Sequence, residues 1–381
     1  MNKKKRVIIS GAGIAGLTCA IWLGINGFNP IIIEKSPSIR AHGYIVSLSH
    51  ESFRLASELG ILEKLCNRGA GIKESCYYDK NKTPMLSLDY QNLFAGLDIV
   101  QIMRDELETV LYEEAKDLCE FRFDNSLTKI DQDQNKVYIE LKDGTADTCD
   151  VLIGADGLHS VTRSLTFTES EVEKRYMGIF SSAYRLPNVL GISNRFENHM
   201  EQKRYMCVYT TGANDLACVF IWKSNALEAP KSKVRVSVLS DAFEGSSDAT
   251  MEVISNAPGG ESIYMDPLIQ IRMQSWNKGN VVLLGDAAHC LTLLSGQGAS
   301  TAFWGASVLA KQLIENNADI AFDRYHSVLS QVTDKMQQTT RNAAKWYIPD
   351  NRLNYLSRDF AMRYLPNSFF QYYFKNKYSK A

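Results

Sequence analysis

Three glycines, Gly11, Gly13 and Gly16, sit in the run Gly-Ala-Gly-Ile-Ala-Gly, and a carboxylate, Glu34, follows at the end of the next apolar stretch. That spacing can hold a dinucleotide. Gly11 permits a tight turn. Gly13 lets the backbone approach a pyrophosphate, whose charge is favoured by the N-terminus of a following helix. Gly16 lets that helix pack closely on a strand. Glu34 accepts hydrogen bonds from a ribose 2′-hydroxyl and repels a 2′-phosphate, so the site suits FAD or NAD and not NADP. Three glycines in an ordinary turn are the plainer reading, but the context opposes it. Val7 to Ser10 is a β-branched run, Leu17 to Asn26 is apolar at helical spacing and stops at Gly27, and Pro30 to Glu34 is a second strand.

Two further constellations lie downstream. Asp150 to Ser164 runs a strand, with Val151 to Ile153 buried, into Gly154-Ala155-Asp156-Gly157, with a helix starting near Ser160. Asp156 and Gly157 fit a polar loop beside a cofactor and fit equally a plain strand-to-helix turn. Val281 to Leu284 then leads into Gly285-Asp286-Ala287-Ala288-His289, and Ser295-Gly296-Gln297-Gly298-Ala299 opens a proline-free helix to Leu313. Asp286 can bond ribityl hydroxyls or bracket a phosphate through water. The N–H groups at Gly296 and Gly298 can face a flat, electron-rich ring. His289 reads more simply as a helix-entry residue packed beside the loop.

The chain that must position these groups has 381 residues, enough for two domains or one large domain with an insertion. Its 42 Lys and Arg balance 43 Asp and Glu, which disfavours nucleic acid as a partner. Eight cysteines form no CxxC pair, so no metal site is expected, and reduced thiols in a cytoplasmic protein are the simplest reading. Lys3, Lys4, Lys5 and Arg6 imitate the start of a signal peptide, but Gly11, Gly13 and Gly16 cut the apolar stretch that follows. No run reaches the ~18 apolar residues of a spanning helix, so stable membrane insertion is not expected. Ser52 to Leu65 and Met103 to Ala115 have helical spacing. Lys136 to Leu141 alternates like an antiparallel strand before an Asp143-Gly144 turn. From Glu169 to Met273 short alternating segments, such as Tyr205 to Tyr209 and Ala217 to Trp222, suggest a mostly antiparallel sheet. The last 41 residues hold eight Lys and Arg but two acidic residues, and they are rich in Tyr and Phe.

The three constellations, in this order and spacing, resemble the FAD-dependent aromatic-hydroxylase-like (group A) flavin monooxygenases along nearly the whole chain. The resemblance implies an α/β fold with a Rossmann-type FAD-binding domain (1–75, 101–168 and 274–335). Into it is inserted a mostly antiparallel β-sheet substrate domain (76–100 and 169–273), and a C-terminal helical lid or bridge follows (336–381). It places Gly11, Gly13, Ile14, Ala15, Gly16, Glu34 and Lys35 on the ADP moiety. Arg40 and Arg104 match arginines that contact FAD, and Gly285 and Asp286 match the ribityl and pyrophosphate contact. Gly296, Gly298 and Ala299 match the loop at the ring. Asp156 and Gly157 match a motif associated with both FAD and NAD(P)H. The implied chemistry is the flavin's: reduction by transiently bound NADPH or NADH, then O2 activation as a C4a-hydroperoxide, with no obligatory side-chain acid or base. A monomer is expected. Leu293 stands where many members have Pro, and Ser300, Trp304 and Gly305 replace the usual Asn and Glu-Asp.

Within that family, Ser38-Ile39-Arg40-x-x-Gly43, the text from Cys290 to Gly298 and the aromatic C-terminus are most similar to the tetracycline destructases. That implies a polycyclic aromatic substrate, tetracycline antibiotics foremost. The strand from Lys203 to Tyr209 matches one that lines the family's cleft, so Arg204 is the expected polar anchor, with Leu293 beside the ring. A solvated strand arginine is the plainer reading of Arg204. The tail, with Tyr355, Phe360, Tyr364, Phe369, Tyr373 and Phe374, reads as a lid, as plain packing or as a membrane-surface helix. A hydroxylase of another aromatic or polyketide metabolite stands as the alternative, separated by substrate-stimulated NAD(P)H oxidation. A flavin-bound protein that sequesters a ligand without turnover is the reading from another class, and predicts no NAD(P)H consumption.

Overall fold

Val7–Ser10 is buried along its whole length and pairs in parallel with Ile31–Ile33 on one side and Val151–Gly154 on the other. Strands so apolar on both faces must be covered on both faces. The structure, a computed structural model, describes residues 5–39, 43–212 and 214–372. In it these strands are the centre of a six-stranded sheet completed by Val281–Leu283, Glu120–Arg122 and the antiparallel edge pair Asn277–Lys278. Helix Ile14–Ile25 packs on one face with Arg104–Ala115 and Gly298–Glu315. The other face is covered by an antiparallel sheet of Leu127–Gln132, Val137–Leu141 and Ala146–Cys149. Val137–Leu141 alternates buried and exposed residues because only its inner face meets the first sheet.

A seven-stranded sheet forms the second body. Its order is Tyr264–Met273, Val172–Pro187, Asp215–Lys223, Arg204–Thr210, Arg195–Met200, Glu74–Tyr78, Pro84–Asp89. All pairings are antiparallel except that of Arg195–Met200 with Glu74–Tyr78. Its front face carries Ala183, Phe196, Tyr205, Cys207, Tyr209 and Ile221 and packs with Met103, Leu294 and Met362. Its back face carries Tyr184, Met206, Val208 and Phe220 and is closed by helices Arg235–Ala242 and Asp248–Ser255. The inserted segment is therefore not purely β.

Two departures from the sequence reading have simple causes. The stretch from Ser52 to Leu65 is two helices, Glu51–Glu58 and Leu62–Asn67, because Gly60 adopts φ +74° between them. Helix Ala318–Tyr347 runs unbroken for 30 residues, straight through position 336. Midway, Gln337 Nε2 donates to the carbonyls of Ile271 (2.8 Å) and Cys290 (3.0 Å), tying the second sheet to the segment after His289. The last described elements are helix Arg352–Tyr364 and helical residues 367–372. That helix turns Arg358, Asp359 and Met362 inward, and leaves Phe360 (63%) and Tyr364 (69%) exposed. Among the described residues no helix is long and apolar enough to cross a membrane. Tyr373 and Phe374 lie outside the described residues.

Candidate cofactor and substrate site

At the end of the first strand the glycines divide their work. Gly11 has φ +107°, and a Cβ there would lie 2.5 Å from the Ala155 carbonyl oxygen. A Cβ on Gly16 would lie 2.0 Å from the Gly11 oxygen. Both positions are closed to any side chain by backbone. Gly13 differs: the nearest atom to its would-be Cβ is Glu108 Oε1 at 3.9 Å. The space above Gly13 is a cradle that a side chain would fill. Helix Ile14–Ile25 starts there with no side-chain cap and no acidic residue in its first turn. Its first N–H groups and the positive end of its dipole are thus available to an anion. Glu34 stands at the rim, accepting from the N–H of Ala12 (2.7 Å) and of Ser36 (2.9 Å). Ile14 and Ala15 are buried in the helix, and Lys35 is exposed beside the rim. Arg40 lies outside the described residues.

The third constellation abuts the first. Gly285, at φ +63°, brings its α-carbon so close to the first helix that a Cβ would meet Ala15 Cβ at 3.2 Å. Asp286 opens the short helix Asp286–His289 with its side chain exposed. It acts on its neighbours electrostatically: burial raises the Tyr44 hydroxyl, Arg104 lowers it, and the Asp286 carboxylate raises it again. Arg104 Nε donates to the buried Glu108 at 3.0 Å. Burial alone would favour loss of its proton, but Glu108, Tyr44 and Asp286 outweigh that and hold it charged. Tyr44, Arg104 and Asp286 therefore form one electrostatic group at the edge of the cradle.

The turn Leu293–Ser295 follows, and a Cβ at Gly296 (φ +65°) or Gly298 would touch nothing within 4 Å. Helix Gly298–Glu315 begins without a side-chain cap, and Ala299 is buried in its first turn. Ser300 bonds the strand Ile45–Ser49, donating to the Ser47 carbonyl at 2.7 Å. Thr292, a β-branched residue, is held at φ +73°, a strained conformation at the entrance to this turn. Leu293 is half-buried against the aromatic front face of the second sheet. His289 is buried against the Trp276 ring (4.7 Å between centroids), and burial lowers its pKa to about 4. It is a packed neutral residue.

Asp156 turns back into the fold. Its carboxylate accepts from the Ser160 hydroxyl (2.5 Å) and from the Thr162 N–H (2.8 Å) and hydroxyl (3.0 Å), so its side chain shapes the turn. Gly157 supplies φ +79° with open space around it. The residue that joins this loop to the third constellation is Arg163, which sequence reasoning missed. It is buried and donates to the carbonyls of Ala287 (2.8 Å) and Leu158 (2.6 Å). Between Thr162 and Ser164 it carries no sequence signal of burial.

Arg204 is not where the sequence reading put it. Tyr205, Cys207 and Tyr209 face front, so the period of two sends Arg204 to the back with Met206 and Val208. There it bonds Glu201 (2.8 Å) and the carbonyls of Ala242 (3.2 Å) and Glu244 (2.9 Å), over the Phe243 ring. It cannot reach the front-face cluster. Polar groups on the front face include instead Asn198, Tyr205 and Ser75. They edge a cavity of about 130 Å³ walled by Leu93, Phe94, Phe196 and Tyr347.

An open cradle at Gly13, two uncapped helix N-termini and open glycines at 296 and 298 fit a bound FAD, and these residues together would hold it. Residues 4–340 match the family model described as FAD binding domain. A flavin-dependent monooxygenase from an unknown prokaryotic organism is 32% identical over 350 residues, covering 89% of this chain and 88% of its own. One from Legionella longbeachae is 29% identical, with 89% and 88% covered. The chain belongs to this family of FAD-dependent monooxygenases. Among solved structures, tetracycline destructase Tet(51) superposes with a TM-score of 0.85 at 25% identity, covering 99% of this chain and 98% of its own. Tet(55) superposes at 0.86 and 24%, covering 100% and 98%.

Proposed function

We propose that this enzyme uses NAD(P)H and O2 to oxidise a polycyclic aromatic substrate, tetracycline antibiotics being the leading candidates. The observation that carries the reading is the likeness to Tet(51) along essentially the whole chain. The aromatic front face of the second sheet supports it, since flat fused rings bury well against Tyr and Phe. When bound, FAD supplies the redox chemistry, taking electrons from the nicotinamide and passing them to O2. The chain's own residues do the rest. The cradle at Gly13 and the helix behind it bind the pyrophosphate. Asp286 and Arg104 orient the middle of the cofactor. The Leu293–Gly298 turn would hold the ring, and the apolar front-face cluster, with Leu294 and Met362, would exclude water beside it. The C-terminal helix closes the end of that cluster, in the manner of a lid.

Incubating the purified yellow protein with NADPH, air and tetracycline tests this directly. The expected result is NADPH loss that depends on tetracycline and a drug whose mass gains oxygen or shows oxidative breakdown. Unchanged drug mass with no drug-dependent NADPH loss would refute tetracycline as the substrate.

A further inference from the structure

We propose that the front-face cavity is a subsite for one neutral hydroxylated ring of the substrate, a phenol or enol, selected by Asn198 and Tyr205. It rests on the preceding reading only in assigning that ring to the substrate. The subsite itself stands on geometry.

Size comes first. An apolar cavity of roughly 150 Å³ holds a single benzene. At about 130 Å³, this one is of the size of a single six-membered ring. Its walls suit a ring face: Tyr90 packs against Phe94 at 4.9 Å and against Phe196 at 5.4 Å.

The polar edge then decides the substituent. Asn198 Nδ2 donates to the Cys76 carbonyl (3.0 Å), which can only accept, so the amide orientation is fixed. Its other proton goes to Ser75 Oγ (3.0 Å), and Oδ1 accepts from the Tyr205 hydroxyl (2.7 Å). Both amide protons and the Tyr205 proton are thus committed. A second lone pair on Asn198 Oδ1, the lone pairs of Tyr205 Oη and the hydroxyl proton of Ser75 remain to face a ligand. Tyr77, Tyr90 and Tyr347 also line the cavity, and a ring hydroxyl, which donates one hydrogen bond and accepts another, suits Ser75, Asn198 and Tyr205. A carboxylate would find only neutral donors and no cation to pair with. An ammonium would find no countercharge, because no residue lining the cavity is charged. Burial pushes the Cys207 thiol up to about 12 and the Tyr205 hydroxyl well above its usual range, so neither becomes an anion near neutral pH. A neutral hydroxylated ring is what remains, and the aromatic walls favour a flat one, a phenol or an enol. Anchoring it fixes the register of everything fused to it along the sheet.

The test uses the flavin-loaded protein and saturation-transfer NMR with phenol, benzoate and benzylammonium at pH 7. Phenol is expected to bind, and the two ions at least about tenfold more weakly. Leu93→Phe fills the cavity from its aliphatic wall and should abolish phenol binding. Tyr205→Phe keeps the ring but removes the hydroxyl and should weaken binding roughly two- to tenfold. Flavin content and melting temperature establish that each variant is folded, and if Leu93→Phe is not, Tyr205→Phe decides. Absence of phenol binding, equal binding of benzoate, or binding that survives these substitutions would overturn the proposal. No readout involves NADPH, so phenol binding without tetracycline turnover would refute the proposed substrate and leave the subsite standing.

Discussion

Adding one methyl group at Gly13 or at Gly16 should give opposite phenotypes, though the residues are three apart. At Gly16 the new carbon would sit 2.0 Å from the Gly11 oxygen, so helix and turn must separate. Overpacking of this kind costs about 1–3 kcal/mol, and backbone gives way less readily than side chains. Gly16→Ala should lower the melting temperature of the flavin-free protein by several degrees, at ~2 °C per kcal/mol for a large domain. At Gly13 the methyl enters open space, and φ −82°, ψ −175° suits any residue. Reduced freedom of the unfolded chain contributes about 0.4–1 kcal/mol, and loss of a good N-cap residue offsets much of that. The flavin-free Gly13→Ala protein should therefore melt within a few degrees of the parent. Its affinity for FAD is a different matter. A methyl in the cradle holds a phosphate oxygen off the helix N-terminus and forfeits at least one charge-assisted hydrogen bond, about 1.5–3 kcal/mol. That is roughly a 10- to 150-fold rise in Kd. Thermal melts of the stripped proteins and fluorescence titration with FAD separate the two effects. Full flavin occupancy in Gly13→Ala, or a parental melting temperature in Gly16→Ala, would refute the division of labour.

Asp286→Ala should weaken FAD retention by a similar 10- to 150-fold, about the worth of one hydrogen bond to a charged group; a variant that purifies fully flavinated would remove Asp286 from the site. Arg163→Met keeps an unbranched stem but removes both donors, so the Ala287 and Leu158 carbonyls are left unpartnered at a cost of about 1–3 kcal/mol each. Both the melting temperature and the flavin content should fall, and a change in neither would deny the residue its bridging role. His289 gives the fold an acid-sensitive window. Above pH 6.5 it is neutral in both states and its contribution is complete. As pH falls from 6.5 toward about 4, the unfolded chain takes a proton that the buried ring refuses, and ~3 kcal/mol of stability drains away. His289→Phe, which keeps a ring on Trp276, should flatten that part of the pH–stability curve; an unchanged curve would assign the loss elsewhere.

The cofactor loops were legible because each needs rare residues at fixed offsets. Only glycine tolerates the contacts at Gly11 and Gly16, and only a strand, helix and acidic residue around them make the pattern specific. The face of Arg204 was not legible. Its strand is covered on both sides, so Tyr205, Cys207 and Tyr209 alternate with Met206 and Val208, apolar against apolar. Period-two reading names two faces without saying which one meets the flavin domain. Asn198 and Ser75 were invisible for a related reason. They come from strands 123 positions apart that pair only in the finished sheet. Position 336 falls inside a helix because nothing local stops one there, and Pro349 is the first breaker downstream.

The C-terminal helix is inside out. Its inner side is fastened at several polar points: Lys223 to Asp350 (2.9 Å) before it begins, Arg358 to the Tyr347 carbonyl (3.3 Å), Arg363 to Asp79, and Asn367 to the Ser87 carbonyl (2.9 Å) after it ends. Most of its oily residues look outward. Contacts sealed by oil tighten in concentrated salt, whereas the two pairs of opposite charge among these fasteners, Lys223–Asp350 and Arg363–Asp79, loosen. Between 0.15 M and 1 M salt the screening length shrinks from about 8 to about 3 Å, and the exposed fasteners weaken with it. Ionic strength should therefore act on how this helix is held through those two pairs, while Met362 keeps its place in the front-face cluster.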